Sequence, residues 1–158
     1  TGQVCQNWMQ YRLIMQYQVQ EMLKAEKIFD AAGIEEELDA YNPLIPDGNN
    51  WKATMLIQYP DVEERQKQLA QLIGIENKIW MQVDGFDKIF AIADEDLERD
   101  TEDKTSAVHF MRYQLDGEMI AAVKGGAAIS AGVDHENYQT TLSPIASNIR
   151  DSLAADLD

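Results

Sequence analysis

The fold of this chain is organised around residues 93–112, whose sequence is ADEDLERDTEDKTSAVHFMR. The stretch begins with a block of carboxylates. It then passes through Lys104, Thr105 and Ser106 and becomes an apolar run that carries His109, one of two histidines in the chain. Segments with the same order of predicted elements lie on either side of it. We therefore interpret the acidic block as a connector between two structural units.

Each of these units is predicted to contain a strand, a helix and then two strands joined by a tight turn. In the first unit, WKATMLIQY at 51–59 alternates between two faces as a strand does, and Asp61 stands where a helix cap is expected. The Asp84-Gly85 pair is a strong hairpin signal between two predicted strands, at 78–83 and 88–93. The junctions before the two helices also match, with QYPD at 58–61 against YQLD at 113–116.

These elements predict a single α+β domain spanning residues 1–158. Two βαββ-like units, at 51–93 and 107–142, would form one mixed sheet or a small barrel of about six strands. A helical N-terminal part at 1–50 and a C-terminal helix at 143–158 would cover it, and residues 94–106 would form the acidic connector. Within the N-terminal part, we expect a helix over residues 10–29 with a stop after Ala32 at Gly33, followed by a short acidic helix over residues 35–41. The start is ambiguous between helix and strand, because residues 4–9 show some alternation.

Composition limits the classes of function. A chain of 158 residues is long enough to bury a core. Its net charge is −15, with 13 basic residues dispersed among 28 acidic ones, so binding to nucleic acid or an anionic membrane is not expected. No apolar run reaches the roughly 18 residues of a membrane span. The single cysteine, Cys5, cannot form an internal disulfide, which fits the cytoplasm.

Seven carboxylates stand between residues 94 and 103, but their spacing is not that of an EF-hand. Arg99 and Thr105 occupy the positions where that motif needs Gly and Glu. A solvated connector is the better interpretation. At its end, Lys104, Thr105 and Ser106 could bind an anion, or cap and neutralise the turn. The seven are Asp94, Glu95, Asp96, Glu98, Asp100, Glu102 and Asp103.

The two histidines are the other candidates for chemistry. Alternation puts His109 on one face of its strand and Arg112 on the other, so one of the two side chains is expected to be half-buried. His135 lies in a hairpin turn beside Asp134. If the histidines converged with a carboxylate they could form a metal site, although nothing in the spacing requires it, and we predict no metal and no cofactor. HExxH, CxxC, GxSxG and Gly-rich phosphate loops are all absent, which favours a non-catalytic protein.

Tyr41 and Asn42 precede a turn-rich loop at 44–50. They could line a pocket beside it, or serve as a helix cap with an aromatic anchor.

Several long stretches resemble a bacterial family of unknown function. They are YQVQEML (17–23), EELDAYNPLIPDG (36–48), WKAT (51–54), AIADEDLER (91–99), EDKTSAVHF (102–110) and GVDH (132–135). Members of that family are often encoded beside rubrerythrin-like proteins and iron–sulfur oxidoreductases of the heterodisulfide-reductase type. The resemblance therefore implies a partner role in peroxide defence or electron transfer. It also draws attention to polar positions without assigning them roles. Together with Arg112, the candidate binding residues are Glu21, Tyr41, Asn42, Asp103, Lys104, His109, Asp134 and His135.

Three hypotheses follow. The leading one is a cytoplasmic accessory protein that works with a redox or peroxide-defence system through protein contacts. The second is a small-molecule or metal-binding enzyme with a pocket around His109, His135 and Lys104, framed also by Tyr41 and Asn42. The third is a homo-oligomeric structural protein that associates through an aromatic and methionine surface at Trp8, Tyr11 and Met15.

Overall fold

The computed structural model describes residues 6–9, 12–95, 99, 101 and 103–158 of the chain. The strands are β1 (Gln6–Met9), β2 (Asn50–Leu56), β3 (Ile79–Val83), β4 (Ile89–Phe90), β5 (Ile92–Ala93), β6 (Val108–Gln114), β7 (Ile129–His135) and β8 (Tyr138–Leu142). The helices are α1 (Arg12–Glu26), α2 (Ala31–Tyr41), α3 (Val62–Gln71), α4 (Gly117–Lys124) and α5 (Ser147–Ala155). None of these helices is long and apolar enough to cross a bilayer.

The described strands form two antiparallel sheets. The first has the order β1-β2-β6-β5 and the second the order β4-β3-β7-β8. The α+β class is thus confirmed, and so is the βαββ order of both units, but the prediction of one mixed sheet or a small barrel is replaced by two separate sheets. Each unit contributes its first strand, β2 or β6, to the first sheet and the two strands of its hairpin, β3 and β4 or β7 and β8, to the second sheet.

Equivalent strands of the two units pair with each other. Strand β2 pairs antiparallel with β6, with Ala53 opposite Met111. Strand β3 pairs antiparallel with β7, with Met81 opposite Ala131. This pairing pattern is the one that a local twofold axis between the units would produce. The helix caps match as well, since Asp61 accepts a hydrogen bond from the Glu64 amide and Asp116 accepts one from the Met119 amide.

One predicted strand is divided between the sheets. The stretch predicted as a single strand at 88–93 forms β4 in the second sheet and β5 in the first. A hydrogen bond from the Ala91 amide to the Ile79 carbonyl, at 2.8 Å, stabilises the turn between β4 and β5. As a result, the chain leaves the first unit beside β6, where Asp94 and Glu95 bond to residues of that strand.

A single core lies between the inner faces of the two sheets. The first sheet contributes alternate residues of β2 and β6, such as Met55 and Tyr113, and the second contributes Ile79 and Ile129. The C-terminal helix α5 closes this core through Leu153, whose carbonyl accepts a hydrogen bond from the Trp51 indole at 3.0 Å. This contact agrees with the prediction that the C-terminal helix covers the sheets.

The N-terminal helices differ from the prediction. The first helix ends at Glu26, where Lys27 takes a positive φ of 57°. The predicted stop at Gly33 is wrong, because Asp30 caps a new helix by accepting from the Gly33 amide at 2.9 Å. The ambiguous start before α1 forms a short strand, β1.

Candidate functional site

The buried histidine of β6 is held between a carboxylate and a hydroxyl. His109 lies on the inner face of the first sheet and is fully buried. Its Nδ1 lies 2.5 Å from Asp94 Oδ2, and its Nε2 lies 2.8 Å from Thr105 Oγ1 and 3.1 Å from the Ser106 carbonyl. Because an ionised carboxylate only accepts hydrogen bonds, Nδ1–H donates to Asp94. The alternation predicted for this strand is therefore confirmed, with His109 inside and Arg112 outside.

Asp94, the residue that follows β5, is hydrogen-bonded to strand β6. Its Oδ1 accepts from the Phe110 amide at 3.1 Å and from Arg99 Nη1 at 3.0 Å, and its backbone has a positive φ of 50°. Only 10% of its side chain is exposed. The interpretation of the acidic run as a solvated connector therefore fails for Asp94, while Asp96, Glu98, Asp100 and Glu102 lie outside the described residues.

Asp94, His109 and Thr105 are the residue types of a catalytic triad, in the same hydrogen-bonded order. A working triad needs its hydroxyl where a substrate can reach it, and Thr105 is 1% exposed. Its amide is also bonded to the Leu69 carbonyl of α3, at 3.1 Å. The arrangement therefore connects β5, β6 and α3 from within and offers no surface to a substrate.

The turn before β6 directs its hydroxyls towards the protein. Ser106 Oγ accepts from the Val108 amide at 3.1 Å, and Thr105 bonds to His109. The side chains of Asp103 and Lys104 are exposed, and the Lys104 backbone is bonded to Thr101. These hydrogen bonds favour turn capping over anion binding as the role of Lys104, Thr105 and Ser106.

His135 has a different set of partners. Its Nε2–H donates to the Ile73 carbonyl at 3.1 Å, and its Nδ1 accepts from the Asn137 amide at 3.2 Å. The neighbouring Asp134 pairs instead with Lys88 at 2.7 Å, and the hydrogen bond from that ammonium lowers the pKa of Asp134. The two histidines belong to different sheets and share no partner among these bonds. No three His, Cys, Asp or Glu side chains in the described part of the chain lie close enough together to hold a metal ion.

A cleft of about 550 Å³ opens on the outer face of the first sheet. We call it the outer cleft, and it contains two cations, Lys52 of β2 and Arg112 of β6, which are directly opposite each other in the strand register. Its lining comprises Ala40, Pro43, Leu44, Asp47, Lys52, Ala53, Ile92, Glu95, Phe110, Met111 and Arg112.

Each cation of the outer cleft is paired with a carboxylate from a loop. Arg112 donates to both oxygens of Glu95, from Nε and Nη2, at 2.8 Å each. This bond lowers the pKa of Glu95 and raises that of Arg112. Lys52 Nζ lies 3.0 Å from Asp47, whose pKa is lowered first by its hydrogen bond from Asn50 and then by Lys52. The lowered pKa values of Asp47 and Glu95 and the raised pKa of Arg112 keep these three groups charged at neutral pH.

A second, smaller hollow of about 340 Å³ lies between the N-terminal helices. We call it the helix groove. The candidates Tyr41 and Asn42 line it, whereas Glu21 is exposed on α1, 3.8 Å from Lys24. The groove is lined by Met15, Gln16, Val19, Gln20, Leu38, Tyr41, Asn42 and Ile45.

The candidate residues thus fall into separate places. Of the predicted set, Arg112 lies in the outer cleft, His109 in the core, and Tyr41 and Asn42 in the helix groove. Sequence reasoning missed Lys52 and Asp47 in the cleft and assigned Glu95 to the connector. A usable signal was that Lys52 is the single charged residue in the sequence of β2.

Comparison with known proteins finds similarity without a described activity. A crystal structure of a novel protein of unknown function from Burkholderia pseudomallei, at 1.90 Å resolution, is 47% identical in sequence and superposes with a TM-score of 0.88. That similarity covers 99% of this chain and 81% of the other. No curated protein matches the chain. The family model described as a protein of unknown function (DUF3501) matches residues 8–157, and the chain therefore belongs to this family.

Proposed function

We propose that this protein is a cytoplasmic accessory protein that binds a partner protein through the helix groove. The observation that carries the proposal is an apolar groove beside a helix that contributes nothing to the core. Helix α2 has no buried residue along its length. Within the groove, Leu38 is 38% exposed and lies across from Met15 and Val19 of α1. Helical pairs with an open apolar seam are a common docking surface for an amphipathic helix.

Charge defines the partner further. Helix α2 carries three exposed carboxylates, Glu35, Glu36 and Asp39, and no basic residue. With a net charge of −15, the whole chain favours approach by a basic surface. The expected partner segment is thus an amphipathic helix with an apolar stripe and flanking Lys or Arg residues.

The redox setting comes from the family resemblance. From this resemblance we propose that the partner is a rubrerythrin-like protein or an iron–sulfur oxidoreductase, and that the two proteins act in peroxide defence or electron transfer. A non-catalytic role is consistent with the burial of His109 and Thr105, which leaves the triad-like residues without access to a substrate. The enzyme hypothesis that combined His109, His135 and Lys104 loses its geometric basis, since these side chains face different surroundings.

The test is direct binding between purified proteins. The rubrerythrin-like and iron–sulfur proteins from the genome that encodes this chain are immobilised in turn, and affinity is measured by biolayer interferometry. We expect binding that weakens as salt is raised. We also expect a loss of about tenfold or more for Leu38→Asp, because the substitution puts a charge into an apolar contact.

Val62→Asp is the matched control, since Val62 is an exposed apolar residue of α3 outside the groove. It should leave affinity unchanged. If neither redox protein binds, the redox partnership is wrong. If binding occurs but Leu38→Asp leaves it intact, the groove is not the contact. Light scattering that finds a dimer broken by Leu38→Asp would instead support the homo-oligomer hypothesis, with a second copy of the chain in the groove.

A further inference from the structure

The outer cleft contains two cations that repel each other across neighbouring strands. Lys52 and Arg112 occupy directly opposed positions of β2 and β6. Like charges at such positions destabilise an antiparallel pair. Both are drawn towards the cleft rather than fully extended into solvent, with 14% of the Lys52 side chain and 25% of the Arg112 side chain exposed. Two opposed cations within a hollow work against strand pairing, and this favours a role for them in binding.

The two carboxylates that neutralise these cations are held differently. Asp47 is fixed by its own turn, because Asn50 Nδ2 donates to its Oδ2 at 2.9 Å and its amide donates to Asn50 Oδ1 at 3.2 Å. Glu95 is 52% exposed, and the hydrogen bonds of its carboxylate within the described residues go to Arg112. Glu95 is therefore the group that can turn away from the cleft at low cost.

The rest of the cleft is apolar. Pro43 and Leu44 form a wall on the side of the N-terminal helices. Ile92 and Phe110 line the side of the sheet, where the Arg99 guanidinium lies over the Phe110 ring, 4.7 Å from its centroid. Ile92 is 41% exposed there, although it belongs to a strand. A site with an apolar lining, a few placed polar groups and a volume of several hundred Å³ is typical for a small organic ligand.

We propose that the outer cleft binds a small amphipathic carboxylate, whose head group replaces Glu95 on the Arg112 guanidinium and whose apolar body lies on Ile92 and Phe110. The guanidinium fork matches a planar carboxylate with two parallel hydrogen bonds, which is the geometry that Glu95 already occupies. Lys52 adds a second positive charge beside the head group. Exchange of one carboxylate for another leaves the ion pairing balanced, so burial of the apolar body supplies the net affinity.

This site is distinct from the proposed protein contact, although different residues of the segment 40–45 line each of them. The outer cleft and the helix groove have no lining residue in common. Loss of one binding activity should leave the other in place, so either proposal can fail alone.

The experiment is calorimetric titration of the protein with octanoate, with octan-1-ol and acetate as matched probes. Octan-1-ol has the same chain without the carboxylate, and acetate has the carboxylate without the chain. We expect one octanoate per chain with a Kd of about 1 mM or lower, and at least about tenfold weaker binding of both other probes. Equal binding of octan-1-ol and octanoate would refute a site organised around Arg112, and no detectable binding of octanoate would refute the site altogether.

Substitutions sharpen the same test. Glu95→Gln removes the internal competitor and should tighten octanoate binding by about tenfold, whereas Arg112→Gln should weaken it by at least about tenfold. Arg150→Gln is the control, because it breaks an ion pair with Asp151 in α5 outside the cleft and should change nothing. If Arg112→Gln does not fold, the Glu95→Gln variant still decides the matter. Unchanged affinity in that variant would mean that Glu95 does not occupy the ligand's place, and the proposal would be wrong.

Discussion

Asp94 and Glu95 are adjacent in the chain, and each holds a basic side chain of the same strand, β6. Asp94 receives Nδ1–H of His109 on the inner face, and Glu95 receives the guanidinium of Arg112 on the outer face. The exposed fractions of the two carboxylate side chains are 10% and 52%. The same chemical group therefore joins the core in one position and closes a solvent-accessible cleft in the next. Burial decides how much each pair contributes to stability.

The largest expected effect is loss of the inner carboxylate. Asp94→Ala removes a mostly buried carboxylate that the His109 ring, the Phe110 amide and Arg99 all contact. It also puts alanine at a positive φ of 50°. We expect a loss of about 3 kcal/mol or more in the free energy of unfolding, measured by urea denaturation. Asp94→Asn tolerates the same backbone geometry and should cost about half as much. A loss for Asp94→Ala no greater than that for Glu95→Gln would contradict the comparison.

A smaller effect is expected on the other side of the histidine ring. Thr105→Val keeps the shape of the side chain but removes the hydroxyl that lies 2.8 Å from His109 Nε2. Since both groups are buried, unfolding should become easier by about 1–2 kcal/mol. Thr141→Val in β8, where the side chain is exposed, provides the control and should change stability little. Equal effects of the two substitutions would mean that the Thr105 hydroxyl contributes nothing to the core.

The smallest effect belongs to the outer pair and depends on pH. The Arg112 guanidinium lowers the pKa of Glu95 from an ordinary value of 4.5, so the folded state binds this proton less readily than the unfolded chain. The pair therefore contributes stability above pH 4.5, and that contribution is lost as pH falls through the lowered pKa. Because Glu95 is half-exposed, solvent screening limits it to about 0.5 kcal/mol. Urea denaturation of the parent chain and Glu95→Gln should show this difference at pH 7 and a smaller one at pH 3. A difference that grows in acid would show that the sign is wrong.

Local periodicity predicted most of the secondary structure. Alternation placed His109 and Arg112 on opposite faces of β6, and the aspartates at 61 and 116 marked the starts of α3 and α4. The error at Gly33 arose because a glycine that fits a helix end can also stand inside the first turn, when an aspartate three residues earlier caps it. The division of the stretch at 88–93 was equally hidden, because a continuous β pattern does not say which sheet each residue joins.

Only part of the outer cleft was predicted from the sequence. Arg112 was identified, but its partner Glu95 was assigned to a solvated run, and Lys52 was not considered. The register that sets Lys52 opposite Arg112 joins residues that are far apart in the sequence. No pattern within a single strand specifies which residue of another strand will stand across from it.

The sequence by itself determined the two βαββ units, the faces of their strands and the caps of their helices, because these depend on side chains a few residues apart. The tertiary structure decided how the units combine, with β2 on β6 and β3 on β7 in two sheets. That pairing brings the residues after β5 alongside β6, so that Asp94 reaches His109 inside and Glu95 reaches Arg112 outside. Contacts of this kind depend on strand pairing between distant segments, and that pairing is selected by the burial of the whole core.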